Sequence, residues 1–332
     1  MAASSRRRPL LASSRLTLAM GVAAATLWTR VAAASDSLPC KRAGRDALSC
    51  WDTRLTLRPS AVPGAELARV APSNSREIVI TSDRACAIDR TDAVWCWGDN
   101  DSGQLGDGTR KPAKTPRRVR GLADVTAVAL GRSMTCALTR SGAVACWGFD
   151  DARSAYQTQP AGVHGLKQVV ELAAGYGHAC ARRSDGTVWC WGYNRYGQLG
   201  DGTQKDRAHP VRVAGLAGAV ELAAGDYHTC ARVHDGSVWC WGNGWGGEDG
   251  TEDRLLRPAR VAEIRGASAI LASPQGFVAA QRNGAFVSCR YHVEPNESEA
   301  SPAIRCRAGN RPDIRGTAPR KVAVISDGAP IP

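Results

Sequence analysis

Cysteine and tryptophan recur along this chain at a fixed interval. Cysteine pairs stand at 40/50, 86/96, 136/146, 180/190 and 230/240, each ten positions apart. The second member is always followed by tryptophan: Trp51, Trp97, Trp147, Trp191 and Trp241. Successive second cysteines are 46, 50, 44 and 50 residues apart, and Cys289 follows Cys240 by 49. Self-similarity at this period belongs to propellers and solenoids, in which each copy buries its apolar face only against the next.

The ten-residue spacing has a geometric meaning. In CARRSDGTVWC, pairing Cys180 with Cys190 across two antiparallel strands sets Arg183 opposite Thr187 and leaves a three-residue loop, Ser184-Asp185-Gly186. Such loops favour a type I turn followed by a left-handed residue, where glycine costs least. Gly142, Gly186 and Gly236 occupy that third position. Directly opposed residues lie roughly 4.5–5.5 Å apart at Cα, inside the disulfide range. Each pair therefore predicts a cross-strand disulfide within one hairpin. Two Val-rich segments precede each hairpin, as in PVRVAGL (210–216) and AVELAAG (219–225). Labelling the four strands a, b, c and d, with c–d the cysteine hairpin, gives a four-stranded antiparallel sheet per repeat, the size of a propeller blade.

The fuller pattern AxGxxHxCA…DGxVxCWGxNxxGQLGDGT, carried by Glu171–Thr203 and Glu221–Thr251 and in part from Cys86, resembles the repeat of the regulator of chromosome condensation family. The hairpin alone recurs at Cys136, and Cys40/Cys50-Trp51 is a vestige. The resemblance covers residues 36 to about 290. It implies a β-propeller, usually seven-bladed, that acts as an interaction platform. Family members include an exchange factor for a nuclear GTPase and a secreted β-lactamase inhibitor. Six hairpins are countable here. The sixth, QRNGAFVSC, has Ala279 where the first cysteine is expected and Arg290 in place of tryptophan, leaving Cys289 to pair with Cys306. The expectation is an all-β propeller of six blades, with a seventh allowed if 291–332 hold a disguised unit. Clear repeats span about 80–255, degenerate ones 36–79 and 256–290. The tail 291–332, with one strand in APRKVAVISDG, is expected to pair with the N-terminal hairpin and close the ring.

Residues 1–34 read as a cleaved signal peptide: Arg6-Arg7-Arg8, an apolar run from Leu16 to Trp28, and Ala32-Ala33-Ala34. The apolar run is too short to span a membrane, and no later stretch is apolar enough. The signal holds five arginines and no acid, so its loss lowers the formal charge from +12 to +7. All twelve cysteines follow it, an even count that suits disulfides in an exported chain. The mature chain, 35–332, is expected to be one domain in the periplasm, at the cell surface or outside the cell. Its Ala-, Gly- and Arg-rich composition suits a high-GC bacterium.

No constellation for chemistry emerges. His178 and His228 sit two residues before a cysteine in the b–c turn, where other copies have Arg84, Met134 and Phe277, so they read as packed turn residues. Asp99, Asp101 and Asp107 lack the glycine and terminal glutamate of a calcium loop. That loop reads instead as a turn packed by Asn100, Gln104 and Leu105, like Asn194, Gln198 and Leu199. The cysteine spacing is not that of zinc ligands. No metal, cofactor or enzyme activity is expected.

Strand parity yields the one functional inference. The b–c turns and d–a loops open on one face and carry Tyr176, Tyr227, Phe149, Tyr156, Tyr193, Tyr196 and Trp245. The c–d turns, on the other face, carry no aromatic. They carry Lys41, Arg42, Arg45, Arg140, Arg182 and Arg183 among Asp46, Asp185 and Asp235, a solvated mixed surface rather than a nucleic-acid footprint. Loop aromatics on a rigid scaffold suit binding. The reading is an exported non-catalytic scaffold that binds another protein. The alternatives are a carbohydrate- or cell-wall-binding module using the same loops, or an inhibitor of a secreted enzyme.

Overall fold

The computed structural model describes residues 37–42, 48–50, 55–57, 67, 70–81, 83–243, 254–273, 276–281, 285–292, 303–309 and 321–325. Residues 1–34, Arg45, Asp46 and Trp245, the side chains of Lys41 and Arg42, and the sulfurs of Cys40 and Cys50 lie outside what is described.

The described residues form a β-propeller. Five blades of four antiparallel strands follow one another; the last four are separate sheets, and the first is half of an eight-stranded sheet. Blade three shows the plan: Val169–Ala174 innermost, then His178–Arg183, Val188–Gly192 and, outermost, Arg207–Arg212. Blade one starts at Ser75–Ile80, blade two at Val125–Leu130, blade four at Ala219–Ala224 and blade five at Ala267–Ser273. All six expected hairpins are present. In the first, Cys40 lies opposite Cys50. Its strand Ser37–Arg42 runs beside Lys321–Ile325, which pairs on its other edge with Ser75–Ile80.

The blades are cut one strand later than the repeat suggests. The segment taken as strand a does not join the sheet that follows it. Arg207–Arg212 pairs with Val188–Gly192 of the preceding hairpin, Val211 opposite Cys190. Its sequence fits an outer edge: RAHPVR is half-buried to exposed, and Pro210 lacks a ladder donor that only an inner strand would need. Residues 213–218 then cross to the next blade.

Side-chain alternation explains the Cys-Trp dipeptide. Neighbouring residues on a strand face opposite ways, so each blade turns its disulfide to the following blade and its tryptophan to the preceding one. Trp147 packs in one core with Cys86 and Cys96, Trp191 with Cys136 and Cys146, and Trp241 with Cys180 and Cys190. The disulfides 86–96, 136–146, 180–190 and 230–240 form across their hairpins. The turns follow the expected geometry: Gly186 has φ 76° and Arg183 N–H donates to the Thr187 carbonyl at 2.9 Å. In blade one Asp92 takes the left-handed position at φ 61°.

Blade five departs from its expected register. Phe277, not Ala279, lies opposite Cys289, and Ser288 faces Val278 where the cysteine pair stands elsewhere. A one-residue slip moves a side chain to the other face. Cys289 therefore takes the tryptophan position, facing Cys230 and Cys240 of blade four. It bonds to Cys306 on the outer strand. The residue at the histidine position is consequently Gly276, not Phe277.

A second correction concerns Arg182. It is buried and ion-paired with buried Glu171 on the adjacent strand, not solvated. Glu171 also accepts the Leu222 N–H of the next blade at 3.2 Å, so the pair belongs to the blade interface.

Candidate interaction face

The glycine after each Cys-Trp fixes where the aromatic loops go. Gly98, Gly148, Gly192 and Gly242 have φ between 99° and 109°. A Cβ on Gly192 would collide with the Gly177 carbonyl. This close approach lets Tyr193 N–H donate to Gly177 O at 2.9 Å, tying the d–a loop to the b–c turn of its own blade. The turn is tied to the next blade by Tyr176 N–H to Asp226 O at 3.0 Å.

These ties bring four of the expected aromatics together. Tyr176 and Tyr193 come from blade three's turn and loop, Tyr196 lies three residues on, and Tyr227 sits in blade four's turn. Ring centroids are 4.9 Å apart for Tyr196–Tyr227, 5.3 Å for Tyr176–Tyr227, 6.0 Å for Tyr193–Tyr196 and 6.3 Å for Tyr193–Tyr227. All four are half-buried, and no phenol hydroxyl has a hydrogen-bond partner among the described residues. An apolar ring body with an open polar tip is what binding surfaces select. Phe149 and Tyr156 form a separate pair on blade two at 5.0 Å, with the Arg110 guanidinium 3.7 Å above the Tyr156 ring.

The surroundings of the tyrosines are acidic. Asp151 packs against Gly177, and its Oδ2 has no hydrogen-bond partner among the described residues. Burial, with Asp206 and Asp150 nearby, raises its pKa to about 6. Burial also pushes Tyr227 up to about 12, helped by Tyr176 and Asp226. The centre of the face thus disfavours further negative charge. Sequence reading missed Asp151, whose signal was its place in the same loop class as the aromatics.

The histidines couple blades. His178 Nε2 meets Thr229 Oγ1 of blade four at 2.9 Å, and His228 Nε2 donates to the Gly276 carbonyl of blade five at 3.0 Å. At the same position Arg84, wholly buried, donates to the carbonyls of Gly131, Arg132 and Met134. The Asp99–Asp107 loop is closed around Asn100, whose Oδ1 accepts from Leu105 N–H at 2.9 Å while Nδ2 donates to the Thr109 and Lys111 carbonyls. Asn194 repeats this with Leu199, Thr203 and Lys205. Among the described residues no three His, Cys, Asp or Glu side chains converge as a metal site would require.

A family model described as the regulator of chromosome condensation (RCC1) repeat matches residues 91–138 and 185–232, and a second of the same description matches 76–104 and 169–198. Residues 76–138 and 169–232 are RCC1 repeats. The first model runs across blade boundaries, from blade one into two and from three into four, while the second stays within blades one and three. Similar solved structures include Prp20p from Saccharomyces cerevisiae, at 23% identity and TM-score 0.55, over 64% of this chain and 56% of that one. Human WBSCR16 matches at 20% identity and TM-score 0.55, over 64% and 60%. Yeast RCC1 (Prp20) bound to Kap60 matches at 18% and 0.56, over 85% and 73%. At these identities the likeness is one of fold, and the chain spans little more than half the length of the first two. No curated protein is significantly similar to the chain in sequence.

Proposed function

We propose that this chain is an exported, non-catalytic propeller that binds a protein partner through its tyrosine face. The observation that carries the reading is the convergence of Tyr176, Tyr193, Tyr196 and Tyr227 on rigid turns, with their hydroxyls open. Rigid aromatic anchors bury large area at low entropic cost, and such residues dominate interface energetics. The acidic setting made by Asp150, Asp151, Asp206 and Asp226 suits a partner that presents a lysine or arginine. Export after loss of residues 1–34 accords with the stapled hairpins, since disulfides persist in oxidising compartments.

The fold relatives support a binding role by analogy: Prp20p is described with its binding to Gsp1p and histones, and yeast RCC1 with Kap60 bound. Neither partner is carried over, because fold alone does not transmit function. The test is a pull-down from envelope and culture-medium extracts with the mature protein and a Tyr193→Ala/Tyr196→Ala/Tyr227→Ala variant. A partner retained by the first and lost by the second supports the face. Equal capture by both, with the variant folded, overturns it. Capture of polysaccharide but no protein favours the carbohydrate alternative.

A further inference from the structure

Blades two and four seat their tryptophans in the same way. Trp147 Nε1 donates to the Gln104 carbonyl and Trp241 Nε1 to the Gln198 carbonyl, both at 2.9 Å. In each case that carbonyl belongs to the Gly-Gln-Leu-Gly-Asp-Gly loop of the preceding blade. The next residue, Leu105 or Leu199, is fully buried in the interface. The glycine after it, Gly106 or Gly200, lies so close to the indole that a Cβ would stand within 2.8 Å of it. Four residues beyond the glutamine, the Gly108 and Gly202 N–H groups donate to the Thr158 and Leu256 carbonyls on the outer strand, at 3.0 and 2.9 Å.

Blade three keeps the tryptophan but not the loop that should seat it. The connection in blade two runs from Asp150 to Ala155 and has no Gln-Leu-Gly. Trp191 accordingly has no hydrogen-bond partner among the described residues. The residue opposite it is Ala179, whereas Thr135 and Thr229 stand opposite Trp147 and Trp241 and donate to the loop carbonyl. A cavity of about 310 Å³ occupies the place, lined among others by Trp191, Cys146, Phe149, Val163 and Ala208. That is the lower end of the range of ligand pockets. By register Ala208 corresponds to Thr158 and Leu256. Its carbonyl takes the Arg153 guanidinium at 2.9 Å in place of a loop N–H.

We infer that this cavity is a docking socket for a loop of a partner protein carrying Leu-Gly, held as the chain's own Gln-Leu-Gly loops are held in the sister blades. The partner's carbonyl before leucine accepts from Trp191 Nε1. Its leucine fills the apolar floor, its glycine lies flat on the indole, and an N–H four residues on takes the Ala208 carbonyl from Arg153. The socket uses none of the four tyrosines and stands whether or not they bind.

The probe is a cyclised peptide of the sequence at 100–109, Asn-Asp-Ser-Gly-Gln-Leu-Gly-Asp-Gly-Thr, titrated into the mature protein and followed by the Trp191 indole N–H resonance and by calorimetry. Saturable one-to-one binding with a shift of that resonance is expected. Trp191→Phe should weaken it about tenfold, the worth of one well-made hydrogen bond. A leucine-to-serine peptide should not bind. Grafting Gly-Gln-Leu-Gly-Asp-Gly between Asp151 and Ser154 should fill the socket and abolish binding while leaving Trp191 in place, which keeps the test decisive if Trp191→Phe folds poorly. Tyr193→Ala/Tyr196→Ala should bind the peptide normally. No saturable binding at millimolar peptide, or equal binding of the serine peptide, overturns the proposal.

Discussion

The carbonyl of Gln104 is buried at the interface of blades one and two and accepts from two donors, Thr135 Oγ1 at 2.8 Å and Trp147 Nε1 at 2.9 Å. Thr135→Val and Trp147→Phe each remove one donor while leaving the other. Each should cost about 1 kcal/mol for the lost bond, since a net protein hydrogen bond is worth roughly 0.5–1.5 kcal/mol, with a further packing loss for the smaller ring. The double variant strands the carbonyl in a site that also holds fully buried Leu105. An orphaned buried acceptor costs about 1–3 kcal/mol, so the pair should lose about 1–2 kcal/mol more than the sum of the singles. The assay is urea denaturation of the oxidised protein at pH 7, with hydrogen exchange of blade-two amides to separate local from global opening. Trp191→Phe is the internal control: its indole has no partner among the described residues, so it should cost about 1 kcal/mol less than Trp147→Phe. Additivity of the double variant within about 0.5 kcal/mol, or equal costs for Trp147→Phe and Trp191→Phe, would refute the shared-acceptor account and weaken the socket argument with it.

Three other outcomes follow from the same geometry. Cys180→Ala/Cys190→Ala opens a loop with a separation of 10 residues; chain entropy puts its cost at about 2.7 kcal/mol, read as a lower urea midpoint, while thiol titration of the unreduced wild type should find Cys180 and Cys190 blocked. Burial lowers the His228 pKa to about 4, a hydrogen bond to Gly276 opposing it. The folded value thus lies below the unfolded one, so the neutral ring's contribution is complete above roughly pH 6.5 and is lost as pH falls towards 4, by up to about 3 kcal/mol; His228→Gln, compared with wild type at pH 7 and 4.5, should flatten that part of the profile. Gly192→Ala places a Cβ against the Gly177 carbonyl at φ 99°, a strain of about 1–3 kcal/mol, and should lower stability and alter the fluorescence of the tyrosine cluster; an unchanged spectrum and midpoint would show that the loop is not held there.

Much of the blade was legible because its determinants are local. Cys180 and Cys190 flank a three-residue turn, so pairing, register and bridge follow from spacing alone, and the regular return of Trp after Cys marks the strand face that must meet a neighbour. What the residues did not reveal is where a periodic chain is cut. RAHPVR reads equally well as the first strand of one unit or the last of another, and only its exposure, with Pro210 at an edge, decides. Arg182 misled for a related reason: an arginine near a turn is usually solvated, and Glu171, eleven residues back, becomes its partner only once the strands pair. In blade five a single-residue slip placed Cys289 at the tryptophan position, invisible in QRNGAFVSC because neither Val278 nor Ser288 carries a marker.

The two surfaces differ in how they entered the sequence. Parity put the aromatics on one face, yet it could not tell Tyr176, Tyr193, Tyr196 and Tyr227, which meet, from Phe149 and Tyr156, which form their own pair. That separation depends on the backbone ties from Tyr193 to Gly177 and from Tyr176 to Asp226. The socket is written as a mismatch between copies: Trp191 persists, the Gln-Leu-Gly run before it is missing, and threonine has become Ala179. In a repeat chain each interface joins residues from two units, so losing a loop in one leaves an unmet donor in the next. Such a mismatch is neutral only if the freed indole reaches water or another chain, and the cavity beside Cys146 and Val163 has room for either.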